Sequence, residues 1–593
     1  MPERISDGNI SWLGGMDTSR SPNDIDEIQY SKGNNVIIPD SLGGIRARFG
    51  FHCCTLDFDK KSTKKLYSEN PVLAEGFFKS QNQTYLIAYV SGYVLKFTRV
   101  TTNRFKVENM NPENRNLDSK SLGWVISIPN GCIVNNGFDI PLYVDQSIAR
   151  RTDPKKGEIG IGRMGIYVQH RLFYSDQSGK QIFASDFNQP LKNTLEGTGI
   201  LGFMCPDADE RIVAIGKQKS VLGTVEGGNL IWSSDKDIYS TDVRGTRSSW
   251  ANLGQKVGKT TETIPNVSAT SAYSFEPFNT NMYFRTAQLG MADLKQSEAQ
   301  FSQLDAMNSQ SIEAAYYFDN DTSWMLGRCY SRKCNKRLFT TVSPEKNDSG
   351  HVYWNGILSF FPAAVYSNRG SIPRRFESVF TGVRPWCMTS VTSTSKDELF
   401  IHSYDKDEVN RLYVMDESSN YDIDQFGKIK EIEGFIETRA YNHKNPLLLK
   451  QPEDRFYRLN IIDRSVKITL FSRPEIHGPW TEMAERDHLV CRTELSDSGV
   501  FTPIPHKGQT RPFVNLPTEK FDCCYKLGYS FISLQYRIEF KGPINLDSIV
   551  TIASLKQRET TMSQVETDCN VISYTFRPDY NYFITSPIYV EFK

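Results

Sequence analysis

The chain has 593 residues, with 69 Lys plus Arg balancing 69 Asp plus Glu, and it is 39% hydrophobic and 12% aromatic. That length exceeds one ordinary hydrophobic core, so two or more domains are expected. A formal net charge of zero argues against a protein that grips nucleic acid through a basic face, and it leaves little repulsion between copies.

The polar start, Met1-Pro-Glu-Arg-Ile-Ser-Asp-Gly, lacks the basic-then-apolar form of a signal peptide, and no run of about 18 apolar residues suggests a membrane span. Eleven cysteines at irregular spacing, including the vicinal pairs Cys53-Cys54 and Cys523-Cys524, read as reduced, buried thiols of a protein folded in a cytoplasm.

Residues 1–50 form an irregular arm punctuated by Gly14-Gly15, Gly33-Asn34-Asn35 and Gly43-Gly44. Strand candidates lie at 36–38 and 45–51, the second carrying Arg46 and Arg48 on one face. The arm has too few apolar residues for a core of its own, so it should dock on a neighbour or close another unit.

Residues 51–430 alternate short β-branched or aromatic runs with Gly, Asn, Asp and Ser turns. Strands at 84–90 and 93–98 meet through Ser91-Gly92, a short-hairpin signal. Weaker strands follow at 124–128, 131–134 and 141–144, then a charged loop at 150–157. The clearest meander spans 165–240, and its rhythm recurs at 272–285, 314–328, 337–342, 351–359 and 399–415. These features predict a mainly β chain with a β-propeller-like body whose blades cannot be counted, because no fixed motif repeats. Residues 289–310 break the pattern: Leu294, Phe301 and Leu304 at helical spacing predict a helical insertion of about four turns.

From 431 to 593 the texture changes to longer alternating strands, near 434–439, 455–462, 466–471, 529–540 and 584–592, as in a C-terminal antiparallel β domain. A polar, Pro-containing insertion at 472–518 is the kind of long loop that makes function or subunit contacts.

Chemistry is sparse. Gly160-Ile-Gly162-Arg-Met-Gly165 matches GxGxxG but is followed by a strand, where a dinucleotide site needs a helix N-terminus, so it reads as a flexible approach to a blade. Asp176 to Gly179 is like the Asp-box turn of sialidase propellers, one residue out of register and without a second copy. Cys329 and Cys334 lack the second ligand pair that zinc requires. The acids at Asp405, Asp407 and Glu408 read as solvated turns. No catalytic, cofactor-binding or metal-ligating residue is predicted, and the chain is expected not to be an enzyme.

The arm carries the most specific pattern: Gly14, Gly15, Asp17 and Thr18, then Asn35 and Val36, then Gly43, Gly44, Arg46, Arg48, Gly50 and Phe51. It resembles the start of the tail nozzle proteins of short-tailed bacteriophages, also known as tail tubular or packaged-DNA stabilisation (hub) proteins, a family whose place in the tail of crAss-like phages is taken by related ring proteins. Residues 171–176 with 182–186 resemble that family's blades, and Glu437-Thr-Arg439 with 455–459 its exit from the propeller. The resemblance implies a structural virion protein of the viral tail, assembled in the host cytoplasm. It implies a homohexameric ring bound to portal, adaptor or other ring proteins and to tail fibre or spike proteins, with double-stranded DNA retained and then passing through during ejection. It implies no cofactor. On this reading, removing residues 1–30 should cost assembly but not folding. The alternative is a phage receptor-binding or glycan-active propeller, a lectin or glycosidase.

Overall fold

The computed structural model describes residues 4–555 apart from short gaps and breaks of five or more residues at 195–201, 218–229, 244–259, 297–301, 306–326, 460–465, 483–488, 496–500, 505–518 and 523–530. Beyond 555 it describes 571–574 and 588–591. All but the last two residues of the strand candidate at 314–328 and much of the 472–518 insertion therefore lie outside the described residues.

Among the described residues, seven mainly antiparallel sheets of at least four strands follow one another along the chain. Their innermost strands are Val72–Ser80, Trp124–Ile128, Gly162–Val168, Ile212–Lys217, Glu276–Phe278, Ser331–Cys334 and Pro385–Thr392. Each packs on the next, and the seventh packs back on the first. The body is a closed seven-bladed β-propeller. Because a blade is covered on both faces, its strands are apolar on both faces: Tyr85 to Val90 are all buried. Between the first and second blades Leu73, Phe78 and Ile87 meet Cys132, Val134 and Leu142. At the closing seam Leu86, Leu95 and Phe97 meet Leu399, Ile401 and Leu412. The Ser91-Gly92 turn joins Gln83–Val90 to Tyr93–Thr101 with both φ values positive (47° and 86°), the geometry that matches the strand twist of a two-residue hairpin.

The seventh blade is completed by the N-terminal side of the chain. Gly50–Cys53 pairs antiparallel with Asn410–Asp416 as the fourth strand. The hairpin of Tyr421–Ile423 and Ile429–Glu431 is added outside it. The first and last blades are thus tied through an early strand, which removes the open edge that a seam would otherwise expose.

The second body is a two-layer sandwich, and residues 431–593 do not build it alone. One layer continues the sixth blade outward: Arg375–Phe380, then the arm strand Gln29–Asn34, then Glu433–Thr438, Gln535–Lys541 and Val466–Arg473. The other layer holds Lys450–Leu459 and Asn545–Leu555, flanked by the arm strands Arg4–Asn9 and Ile45–Ala47. Trp12, Tyr30, Val36, Ile38 and Ile45 are all at 0% exposure in the common core, with Ile436, Leu470, Ile538 and Ile549. The arm is therefore the middle of the second domain. Removing residues 1–30 would take out Arg4–Asn9 from one layer, the first two residues of Gln29–Asn34 from the other and the core around Trp12 and Tyr30, so this truncation is expected to cost the fold of the second domain as well as assembly.

Two local expectations also fail. The helix predicted at 289–310 is replaced by the strands Met291–Gln296 and Ser302–Asp305, which pair as the outer half of the fifth blade, with Leu294 opposite Leu304. Good helix propensity loses there to a sheet edge that needs completing. Among the described residues an α-helix does form at Lys61–Glu69, which buries Thr63 and Tyr67. It was hidden by a short, polar sequence, and Asn410 Nδ2 steadies its last turn by donating to the Tyr67 carbonyl at 2.7 Å.

Candidate functional site: the buried arm junction

Residues 45–51, read from sequence as one strand, are two. Ile45–Ala47 belongs to the sandwich and Gly50–Cys53 to the seventh blade, so the chain changes domain at Arg48-Phe49. Arg48 is 1% exposed at that point. Its guanidinium forms a fork with Asp422, Nη1 to Oδ1 and Nη2 to Oδ2 at 2.8 Å each. It also donates to Asn35 Oδ1 at 2.9 Å, to the Phe49 carbonyl at 2.7 Å and to the Thr381 carbonyl at 2.7 Å. The same group lies 4.3 Å over the Phe51 ring. One side chain thus ties the arm, the sixth blade and the rim of the seventh. Arginine suits this because its planar fork presents five donors in fixed directions.

Asn35 completes the knot. Its left-handed φ of 56° turns the chain between two strands, a conformation that asparagine tolerates better than most residues. Its amide donates to Thr381 Oγ1 at 2.8 Å and to the Glu433 carbonyl at 2.6 Å, which brings in the second domain. Asp422 also accepts from the Phe51 N–H at 2.9 Å. At Gly50 a Cβ would collide with the Tyr421 carbonyl, so the close strand approach there requires glycine.

A second grip lies beside it. Glu377, 0% exposed, accepts from Arg337 at 2.7 and 2.9 Å, from Ser359 Oγ at 2.8 Å and from the Ile38 N–H at 3.2 Å. The Tyr30 hydroxyl donates to the Glu377 carbonyl. Burial alone would raise the Glu377 pKa, but the Arg337 and Arg375 guanidiniums outweigh it and hold the carboxyl below its usual range. Arg337 and Arg375 both donate to the Ile38 carbonyl at 2.9 Å.

The remaining motif residues are spread along the arm. Val36 is buried and exchanges two hydrogen bonds with Ser378 Oγ. Gly15 (φ 72°) passes against the Phe376 carbonyl, Gly14 N–H donates to the Ile28 carbonyl, and Asp17 accepts from Ser19 in a tight turn beside the half-buried Thr18. Gly43 (φ 66°) and Gly44 bring the chain against Ser11 and Asp547. Arg46 and Arg48 do not share a face: Arg46 is exposed on the sandwich strand, and Arg48 turns inward just past the strand end. Of the motif, then, Asn35, Arg48, Gly50 and Phe51 converge; the others hold the arm's path.

Sequence reasoning missed two interior features. At the seam of the first and seventh blades, Glu75 and His402 are both fully buried, with Oε1 3.8 Å from Nε2. Among the described residues the Cys387 thiol is the one donor that faces the Glu75 carboxyl; Tyr67 Oη bonds His402 Nδ1 at 2.8 Å. Burial pushes the Glu75 pKa well up, favouring its protonated form, and pushes the His402 pKa down to about 3, so the imidazole is neutral at pH 7. Pairing Cys387 with His402 across two strands was legible only after register was known. The second feature fills the propeller axis. Tyr273 stacks on Trp124 of the second blade (6.1 Å, 4°) and on Tyr330 beside the sixth (4.6 Å, 23°), and its hydroxyl donates to the Gly123 carbonyl. Arg163 and Arg332 cover the two ends of the stack at 5.5 and 5.4 Å. Blades on opposite sides of a ring touch only across its centre, so the axis is occupied by side chains.

The weighed motifs serve packing and turns. Gly162 and Gly165 belong to the inner strand of the third blade, where a Cβ at either would press on Tyr174, so this segment is packed and not a flexible approach. Asp176 accepts from the Gln181 N–H at 2.9 Å and caps a hairpin with Gly179 at φ 74°. Cys329 and Cys334 are buried and face different neighbours, Thr270 and the Asp397 carbonyl.

No protein-family model matches the chain, and no curated protein does. Among solved structures the chain is similar to BamB from Moraxella catarrhalis, at 9% identity over 57% of this chain and 81% of that one, with a TM-score of 0.30. It is similar to the WD40 repeats of RRP9 at 7% identity over 59% and 99%, with a TM-score of 0.33. An exo-β-1,3-galactanase from Phanerochaete chrysosporium aligns at 9% identity over 80% and 95%, with a TM-score of 0.23. The propeller assignment rests on the closed ring of blades.

Proposed function

We propose that this chain is a structural subunit of a short-tailed phage tail, the nozzle or hub, which assembles into a homohexameric ring. One observation supports this above the others. The residues that carry the resemblance, Asn35, Arg48, Gly50 and Phe51, meet where the propeller, the arm and the sandwich join. They serve a rigid connection between two bodies, which a load-carrying ring subunit needs and a ligand site does not. The axis of each propeller holds the Trp124–Tyr273–Tyr330 stack, so a conduit for DNA would run between copies and not through one. Zero formal charge suits a wall that DNA slides past. Portal-side rings and fibre or spike proteins would be its partners, without enzymatic activity or cofactor.

Native mass spectrometry of the purified chain with negative-stain imaging tests the reading. Six-fold rings with a central hole are the expected result. A chain that stays monomeric in the presence of portal and adaptor proteins, and that binds or cleaves glycans on an array, would replace it with the lectin or glycosidase alternative.

A further inference from the structure

Resting on the reading of the chain as a ring subunit, we infer that Arg46 and an acidic turn of the same arm form the two halves of the contact between adjacent copies. Arg46 differs from its neighbour Arg48 in every respect. It is exposed, and its guanidinium makes no hydrogen bond or ion pair with a described residue. It stands in the wall of a cleft of about 520 Å³ between the sandwich and the seventh blade. Ile37, Phe49 and Ile544 form an apolar floor, and Asn545 lies beside Arg46 as its cross-strand partner. Glu417, the carboxylate of the lining, has an interaction of its own.

The complementary element is the turn before Gln29–Asn34. Asp24, Asp26 and Glu27 are exposed, and none of their carboxylates has a partner among the described residues. Two exposed apolar side chains flank them, Ile28 at 36% and Ile10 at 76%, and Asn9 Nδ2 holds the turn by donating to the Glu27 carbonyl at 2.8 Å. A free guanidinium above an apolar floor thus has its match in free carboxylates beside apolar side chains. Arg46 lies on Ile45–Ala47 in one layer of the sandwich, and the acidic turn precedes Gln29–Asn34 in the other. Within one copy the guanidinium and the three carboxylates are not paired with each other. A head-to-tail contact between different patches is the kind that generates rings. The occupant of the Arg46 cleft is the acidic turn of a second copy of this chain.

Charge exchange on the full chain tests this, read by native mass spectrometry and by thermal melting at a concentration where the variant is monomeric. Arg46→Glu alone, and the triple substitution Asp24→Lys, Asp26→Lys, Glu27→Lys alone, should each weaken subunit association about 30-fold or more. Melting should be unchanged, because all four side chains are exposed. Combining the two sets should restore association at least tenfold relative to either. Wild-type rings that persist undiminished in Arg46→Glu would overturn the inference and leave the ring reading intact. So would two weakened variants whose combination is no better than either. A wild type that never oligomerises, alone or with portal-side proteins, would overturn both. Rings sensitive to Arg46→Glu but not to the acidic turn would assign the cleft to another occupant and overturn the pairing.

Discussion

The arm junction and the blade seam are equally buried and chemically opposite. At the junction, Arg48 and Glu377 are surrounded by partners, and the guanidiniums around Glu377 favour its charged form. At the seam, Glu75 and His402 lie 3.8 Å apart without a hydrogen bond between them, and burial disfavours the charged form of both. Burial by itself disfavours an ion; what decides the outcome is how many donors or opposite charges the fold aims at it. The junction is therefore a place where loss of one partner is costly, and the seam one where a charge-free replacement is cheap or favourable.

The largest break in that contrast is deletion of residues 1–30. It removes the buried Trp12 and Tyr30, each worth about 3–5 kcal/mol by analogy with aromatic truncations, and the ladder of Arg4–Asn9 on Asn545–Leu555. That sum rivals the total stability of a typical domain. Hydrogen exchange should show the sandwich unprotected, with the outer blades less affected. Next, Arg48→Ala should cost about 2–4 kcal/mol in chemical denaturation, because it leaves the half-buried Asp422 without its fork and takes a donor from the buried Asn35 side chain and the Thr381 carbonyl. Arg48→Lys should recover only part of that, since an ammonium cannot serve Asn35, Thr381 and Asp422 together.

Opposite pH behaviour sharpens the comparison. Glu377 has a folded pKa below its unfolded value, so its contribution is present above pH ~4.3 and is lost as pH falls through the folded pKa. Glu377→Gln should therefore destabilise near neutral pH, by about 3 kcal/mol, and converge on the wild type in acid. Glu75 has a raised folded pKa and must take up a proton on folding above pH ~4.3, a cost that grows by about 1.4 kcal/mol per pH unit until the folded pKa is reached. Glu75→Gln should therefore gain stability over the wild type as pH rises, measured by urea denaturation at pH 4 and pH 8. A gain that does not grow with pH would show Glu75 to be ionised in the fold. The smallest effect belongs to Arg46→Ala, which should change monomer stability by no more than about 0.5 kcal/mol.

Several features were legible in the residues. Alternating β-branched and aromatic runs between Gly, Asn and Asp turns specified strands because each blade is covered on both faces, and Ser91-Gly92 specified its turn because only φ > 0 pairs match the strand twist. The glycine and arginine pattern of the arm marked where the backbone turns sharply and approaches its neighbours. The sequence could not say that residues 45–51 split between two domains, because both halves have the same strand texture and the break is set by which sheet has a vacant edge. It could not show that 289–310 would pair as strands, since the apolar spacing at Leu294 and Leu304 suits either form until a blade needs its outer half. Nor could it separate Arg46 from Arg48 or bring Glu75 to His402: those assignments depend on contacts between residues hundreds of positions apart. Local chemistry determined the strands and turns of this chain; ring closure, the arm's place in the core and the charge states at its junction and seam were decided by tertiary packing, because only packing determines what surrounds a buried group.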